Sequence, residues 1–150
     1  MNELIAALRA VHTSTFAFYF KAHGFHWNVE DKNFPMYHDF FGELYQEVFS
    51  AVDTLAELIR TLDEYAPGSI NEVYSNSNLA DELIVGDAQS MVRSLFDSNQ
   101  ALLTIITRAY NLAEKYSEFG ISNALQDRIE AHKKHAWMLR SMLKVSNNDR

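Results

Sequence analysis

The chain contains no cysteine, which excludes disulfides, thiolate zinc sites and cysteine nucleophiles. Any metal it binds must sit on nitrogen and oxygen ligands. Only two prolines and five glycines interrupt the 150 residues, so helices can run long between them. A run of about 18 apolar residues, the length a membrane-crossing helix needs, is missing as well. Basic residues are in deficit: 13 Lys and Arg against 20 Asp and Glu leave a formal charge of −7. That balance is unfavourable for a protein neutralising phosphates by charge alone and suits divalent cations better. The first residues, with Glu3 and Arg9 inside an amphipathic pattern, lack the layout of a secretory signal, and the expected compartment is the cytoplasm.

The composition, 47% hydrophobic and 22% charged, is that of a soluble globular protein, and the length fits a single domain over residues 1–150. A domain of this size buries roughly 70% of the surface of its unfolded chain. Leu4, Leu8, Val11, Phe18 and Phe25 follow the 3.6-residue period of a first helix over residues 4–27. Phe34-Pro35 opens a second, because proline in the first turn forfeits no hydrogen bond, and it runs through Leu44, Val48 and Leu55 to about Glu64. Ala66-Pro67-Gly68 stops it, and the polar stretch 69–86 predicts a long connection with a short helix around Ile70 to Tyr74. Asp87 caps a third long helix, Gly120 closes the next gap, and a fourth begins near Ser122 and reaches about Lys144. Two hairpins joined by one long crossover predict an all-α, ferritin-like four-helix bundle with a short extra helix.

His26 ends the first helix and His38 lies one turn into the second, so a hairpin brings both imidazoles to one end of the bundle. Asp53 and Glu57, four residues apart, share one face of the second helix. His38 and Asp53 are separated by roughly 22 Å of helix, however, too far for one ion to touch both within one chain. Either the two pairs are unrelated or a second copy supplies the missing half. A Glu-x-x-His motif, which an intrabundle di-iron site uses, occurs nowhere.

The segments His26-Trp27-Asn28-Val29, Asn33-Phe34, His38, Glu43-Leu44-Tyr45, Asp53, Ala56-Glu57 and Arg60, with Lys134-His135-Ala136-Trp137-Met138-Leu139-Arg140 near the end, resemble the signature of Dps proteins, the miniferritins named for DNA-binding proteins of starved cells. The resemblance covers nearly the whole chain, the third long helix being its least diagnostic part. It implies a homododecameric shell with iron sites at dimer interfaces, His26 and His38 from one subunit and Asp53 and Glu57 from its neighbour. It implies ferroxidase chemistry too: Fe(II) is oxidised, preferentially by hydrogen peroxide rather than dioxygen, and stored as ferric mineral, protecting against oxidative damage. Trp27, beside a ligand, is placed to lend or quench an electron. The family often carries Asp four residues after the second His, where this chain has Gly42; the expectation is a weak second iron position.

Lone histidines on apolar helices are usually core residues, the expectation for His12, His132 and His135, whereas His23 shares the face of His26 and is a candidate support for it. Trp137 reads as bundle packing. Asp39, Glu43 and Glu47 form an acidic stripe that either nucleates mineral or is simply solvated, and Asn123, Asp127 and Glu130 lie where the resemblance implies a three-fold iron-entry pore. Met1 to Arg9 and Val145 to Arg150 each carry one basic and one acidic residue, so neither is a basic arm, and DNA binding is doubtful. A DNA-condensing structural protein of the same family is the alternative function.

Overall fold

The computed structural model describes residues 1–144; the polar tail 145–150, expected not to act as a basic arm, lies outside the described residues. Four long helices dominate: α1 (Asn2–Asn28), α2 (Phe34–Thr61), α4 (Ala88–Lys115) and α5 (Phe119–Leu143), with the short α3 (Ile70–Asn76) inside the long connection. No helix is long and apolar enough to cross a membrane among the described residues. The core between the four is continuous, built from Leu4, Leu8, Val11 and Phe18 of α1, Phe41, Val48 and Ile59 of α2, Met91, Leu95 and Leu102 of α4, and Leu125 and Leu139 of α5. These are the periodic apolar positions, and their burial supplies most of the stability.

The boundaries follow local chemistry. Pro35 sits in the first turn of α2, where no helical hydrogen bond is lost. This helix ends at Thr61, three residues earlier than expected, because Asp63 takes a left-handed conformation with φ 61°. The start of α5 is also earlier than expected. Ser117, with φ 59°, makes the break after α4, so Gly120 lies inside the first turn of α5 instead of closing the gap. α3 carries a full capping box, Ser69 accepting from the Glu72 amide while the Glu72 carboxylate accepts from the Ser69 amide. Asp87 caps α4 by accepting from the Ser90 amide, as expected.

Two ties fix the long connection. β1 (Val29–Glu30) pairs in parallel with β2 (Gly86–Asp87), joining the end of the connection to the α1–α2 link. Lys21 is the second: its ammonium donates to Ser98 Oγ (2.8 Å) and Ser94 Oγ (3.2 Å), and Ser94 in turn donates to Glu82 of the connection (2.6 Å). Burial pushes the Lys21 pKa down, while the nearby Glu82, Asp81 and Asp97 charges oppose that shift.

Candidate metal centre

His26 occupies the last turn of α1 and His38 the first turns of α2, and the tight α1–α2 link stacks their rings at 3.8 Å with 18° between planes. Each ring bonds to the other residue's backbone. His26 Nδ1–H donates to the His38 carbonyl (2.7 Å), and His38 Nδ1–H donates to the His26 carbonyl (2.8 Å). A carbonyl only accepts, so in both rings the proton sits on Nδ1, and in the neutral imidazole Nε2 is left with a free lone pair. A second hydrogen bond that fixes the tautomer and orientation of a histidine is what a metal ligand requires. Phe34 stacks on His38 at 5.0 Å, and both histidines are half-buried.

Gly42 lies against His26, and a Cβ built there would stand 3.1 Å from both Cε1 and Nδ1 of that ring. The missing side chain at 42 therefore has a packing cause that the sequence pattern did not show: it lets His26 lie close to α2. Asp53 and Glu57 are exposed on α2, well along the helix from the histidines. Among the described residues of the single chain, no group of three or more His, Asp or Glu side chains converges on one point able to hold a metal. The chain presents two separate half-sites: two oriented imidazoles and two free carboxylates, a hard nitrogen and oxygen set that suits iron.

The histidines expected in the core are there. His12 is buried, and burial lowers its pKa. His132 is fully buried; its Nδ1–H donates to Asn99 Oδ1 (2.7 Å) while Asn99 Nδ2 donates to the His132 carbonyl (2.8 Å), and its Nε2 accepts from Arg128 (3.2 Å). Burial, then the Arg128 charge, hold its pKa well below the usual range. His135 Nε2–H donates to Glu47 (2.7 Å), and Arg128 grips the same carboxylate with two bonds of 2.7 and 2.9 Å. Burial pushes the Glu47 carboxyl up, but the hydrogen bonds and charges of His135 and Arg128 outweigh it and hold the carboxyl far below its usual range. Asp39 and Glu43 are exposed. Glu47 is not a free member of that stripe; it is engaged by the α5 side chains.

His23 stacks on Tyr45 at 3.8 Å, meets Trp27 at 3.9 Å with the planes tilted by 37°, and hydrogen-bonds the Tyr19 phenol. Its pKa is lowered by desolvation and by His26. Trp27 is 56% exposed and Trp137 58% exposed, so the indole of Trp137 is not packed inside the bundle as expected. Asn123, Asp127 and Glu130 are exposed on the first turns of α5. Sequence reasoning missed Asn99, Arg128, Lys21 and Tyr19, and gave Tyr45 no role beyond its place in the family signature. For Arg128 a signal existed, since residues 128, 132 and 135 share one helical face.

A family model described as a ferritin-like domain matches residues 5–147. Among similar proteins, the DNA protection during starvation protein of Brevibacillus brevis is 31% identical over 126 residues, 83% of this chain and 84% of the relative. An uncharacterized protein of Haemophilus influenzae is 27% identical across 99% of this chain and 88% of its own length. Among solved structures, a Dps protein of Vibrio cholerae, described as one of the ferritin-like diiron-carboxylate proteins, superposes with a TM-score of 0.91 at 29% identity, covering 95% of this chain and 90% of its own. Antigen TpF1 of Treponema pallidum gives 0.92 at 26% identity, covering 96% and 93%.

Proposed function

Because the chain belongs to the ferritin-like family as a Dps-type miniferritin, whose general business is iron storage or protection of DNA, we propose that it oxidises Fe(II) at sites shared between two subunits and stores the ferric product inside a closed shell of twelve. The observation that carries this reading is the pair of reciprocal Nδ1–carbonyl bonds between two stacked rings, which in the neutral imidazoles leaves both Nε2 atoms free as ligands, while Asp53 and Glu57 stay exposed on α2. A two-fold axis relating antiparallel α2 helices sets the histidines of one subunit opposite Asp53 and Glu57 of the partner subunit, giving two equal sites per dimer.

The surface near these half-sites supports a partner copy. Phe20 and Trp27 on α1, Phe49 on α2, and Ile70 and Tyr74 on α3 are all more than half exposed, and a groove of about 580 Å³ runs past Phe20, Ile70 and Tyr74. Contiguous exposed apolar surface of this kind marks an interface.

Fe(II) is the substrate. The carboxylates and imidazoles bind it and leave positions open for the oxidant. Two ferrous ions, one hydrogen peroxide and two waters yield two ferric oxyhydroxide units and four protons, so iron and peroxide are consumed together without free hydroxyl radical. Trp27, in contact with the His23 ring at 3.9 Å and next to His26 in the chain, is placed to donate or quench an electron. A crystal of the assembled protein soaked anaerobically in ferrous salt tests the reading. Metal between His26, His38 and the partner subunit's Asp53 and Glu57 is the expected result; those four side chains standing free of metal at saturating Fe(II) would overturn it.

A DNA-condensing role is the second reading, favoured by one observation. Residues 131–144 contain no acidic side chain, and Lys133, Lys134, Arg140 and Lys144 are exposed there beside Trp137. The net charge of −7 per chain works against it.

A further inference from the structure

Behind His26 stands a group of side chains with a chemistry of its own. The Tyr19 phenol and His23 Nδ1 are hydrogen-bonded over 3.2 Å, and in the tautomer with the His23 proton on Nε2 the phenol is the donor. His23 stacks on Tyr45 with 10° between planes, and Tyr45 meets His26 edge-on at 5.3 Å. Phe49 covers the Tyr19 ring at 4.7 Å. Tyr19, His23, Tyr45 and His26 are all half-buried, so an unbroken aromatic path leads from a half-shielded phenol to a proposed ligand.

Hydrogen peroxide accepts two electrons, whereas one ferrous ion gives one. Gly42 supplies no ligand, and His26 fills the space where a side chain would stand. A site holding a single Fe(II) is therefore one electron short. We infer that Tyr19 supplies the missing electron, with His23 receiving its proton and Tyr45 bridging to His26. This rests on the reading of the site given above. In the step, the O–O bond of hydrogen peroxide breaks. Fe(II) and Tyr19 each give one electron, two solvent protons complete two waters, and the phenolic proton moves to His23 Nδ1. The products are Fe(III), a neutral tyrosyl radical and a protonated His23. A second Fe(II) then returns an electron to the radical while the proton moves back, so the cycle again consumes two irons per peroxide.

The test uses the assembled protein loaded anaerobically with one Fe(II) per site, mixed with hydrogen peroxide and freeze-quenched for electron paramagnetic resonance. A neutral tyrosyl signal is expected in the parent. It should vanish in Tyr19→Phe, with more hydroxyl-radical adduct on a spin trap, and fall several-fold in His23→Phe, which keeps a stacked ring but removes the proton acceptor. Tyr65→Phe, at a phenol 81% exposed and outside the aromatic path, should keep the signal. A signal that survives Tyr19→Phe overturns the assignment, as does one that disappears only in Tyr45→Phe. If the parent oxidises iron with peroxide and shows no tyrosyl signal, the relay falls and the iron site stands. If peroxide oxidises iron no faster in the parent than in His38→Ala, the site itself falls and takes the relay with it.

Discussion

His26 and His38 hold each other through their main chains: each Nδ1 donates to the other residue's carbonyl, at 2.7 and 2.8 Å. Removing either ring frees the carbonyl that it capped and takes away the stacked neighbour at 3.8 Å, but the other ring keeps its main-chain acceptor and with it the tautomer that leaves Nε2 free.

Sharing of the site between subunits can be read from mixed assemblies. His38→Ala and Glu57→Ala should each abolish most Fe(II) oxidation. Co-expressed, they should recover about a quarter of parental activity, because half the dimers are hybrids and each hybrid keeps one of its two sites intact. No recovery in purified hybrids would mean that the histidine pair and the carboxylate pair do not form one shared site.

Gly42 gives a test with a sign that helix propensity alone gets wrong. Alanine normally gains about 0.5 to 1 kcal/mol over glycine inside a helix, but a Cβ at 42 would press on His26 at 3.1 Å. Gly42→Ala should therefore weaken Fe(II) binding about tenfold, the scale of a disturbed ligand support, with no rise in melting temperature. Gly120→Ala, where a Cβ meets nothing within 4 Å, should leave binding untouched. Anaerobic calorimetric titration measures both. Unchanged affinity in Gly42→Ala would show that the His26 ring yields freely. Gly42→Asp, attractive from the family pattern, meets the same obstacle.

The bundle was legible because its information is local and periodic: the spacing of Leu4, Leu8 and Val11, the proline at 35 and the cap at Asp87 each act within a turn or two. The two half-sites were legible for the same reason. What escaped depends on pairs distant in sequence. Glu47 reads as one of three acids on a stripe, and only the docking of α5 against α2 brings Arg128 and His135 onto it. Gly42 looks like a lost ligand until the His26 ring is seen against it. The boundary errors at Asp63 and Ser117 have a third cause, left-handed residues that are not glycine, which carry little sequence signal.

DNA binding should be weak and strongly dependent on salt. The exposed Lys133, Lys134, Arg140 and Lys144 offer a local basic face, yet it is small against a net charge of −7, and its pull on phosphates is screened beyond a Debye length of about 8 Å at physiological ionic strength. Mobility-shift assays are expected to show retention of plasmid at roughly 50 mM salt and none at roughly 150 mM. Tight retention at the higher salt would mean that the α5 face outweighs the net charge.

Acid should destabilise the fold in two stages, and the first can be assigned to His132. Its pKa is held well below the ordinary value by burial and by Arg128. The folded ring thus stays neutral while the unfolded one takes up a proton below about pH 6.5. The unfolded state then binds more protons, so stability is full above about 6.5 and declines as pH falls, by up to about 1.4 kcal/mol per pH unit for one such group. His12, lowered by burial, acts in the same direction. Glu47 belongs to the second stage. Its folded pKa lies below that of a free carboxylate, so its contribution is present above about pH 4.3 and is lost only at lower pH. His132→Gln removes the first titration but also the bond to Asn99 and the contact with Arg128. It should melt lower than the parent at pH 8 and show a shallower fall in melting temperature between pH 6.5 and 5. Thermal denaturation at half-unit intervals of pH separates the two effects. A slope in the variant as steep as in the parent would assign the loss to His12 or to another group, and would remove His132 from the account of acid sensitivity.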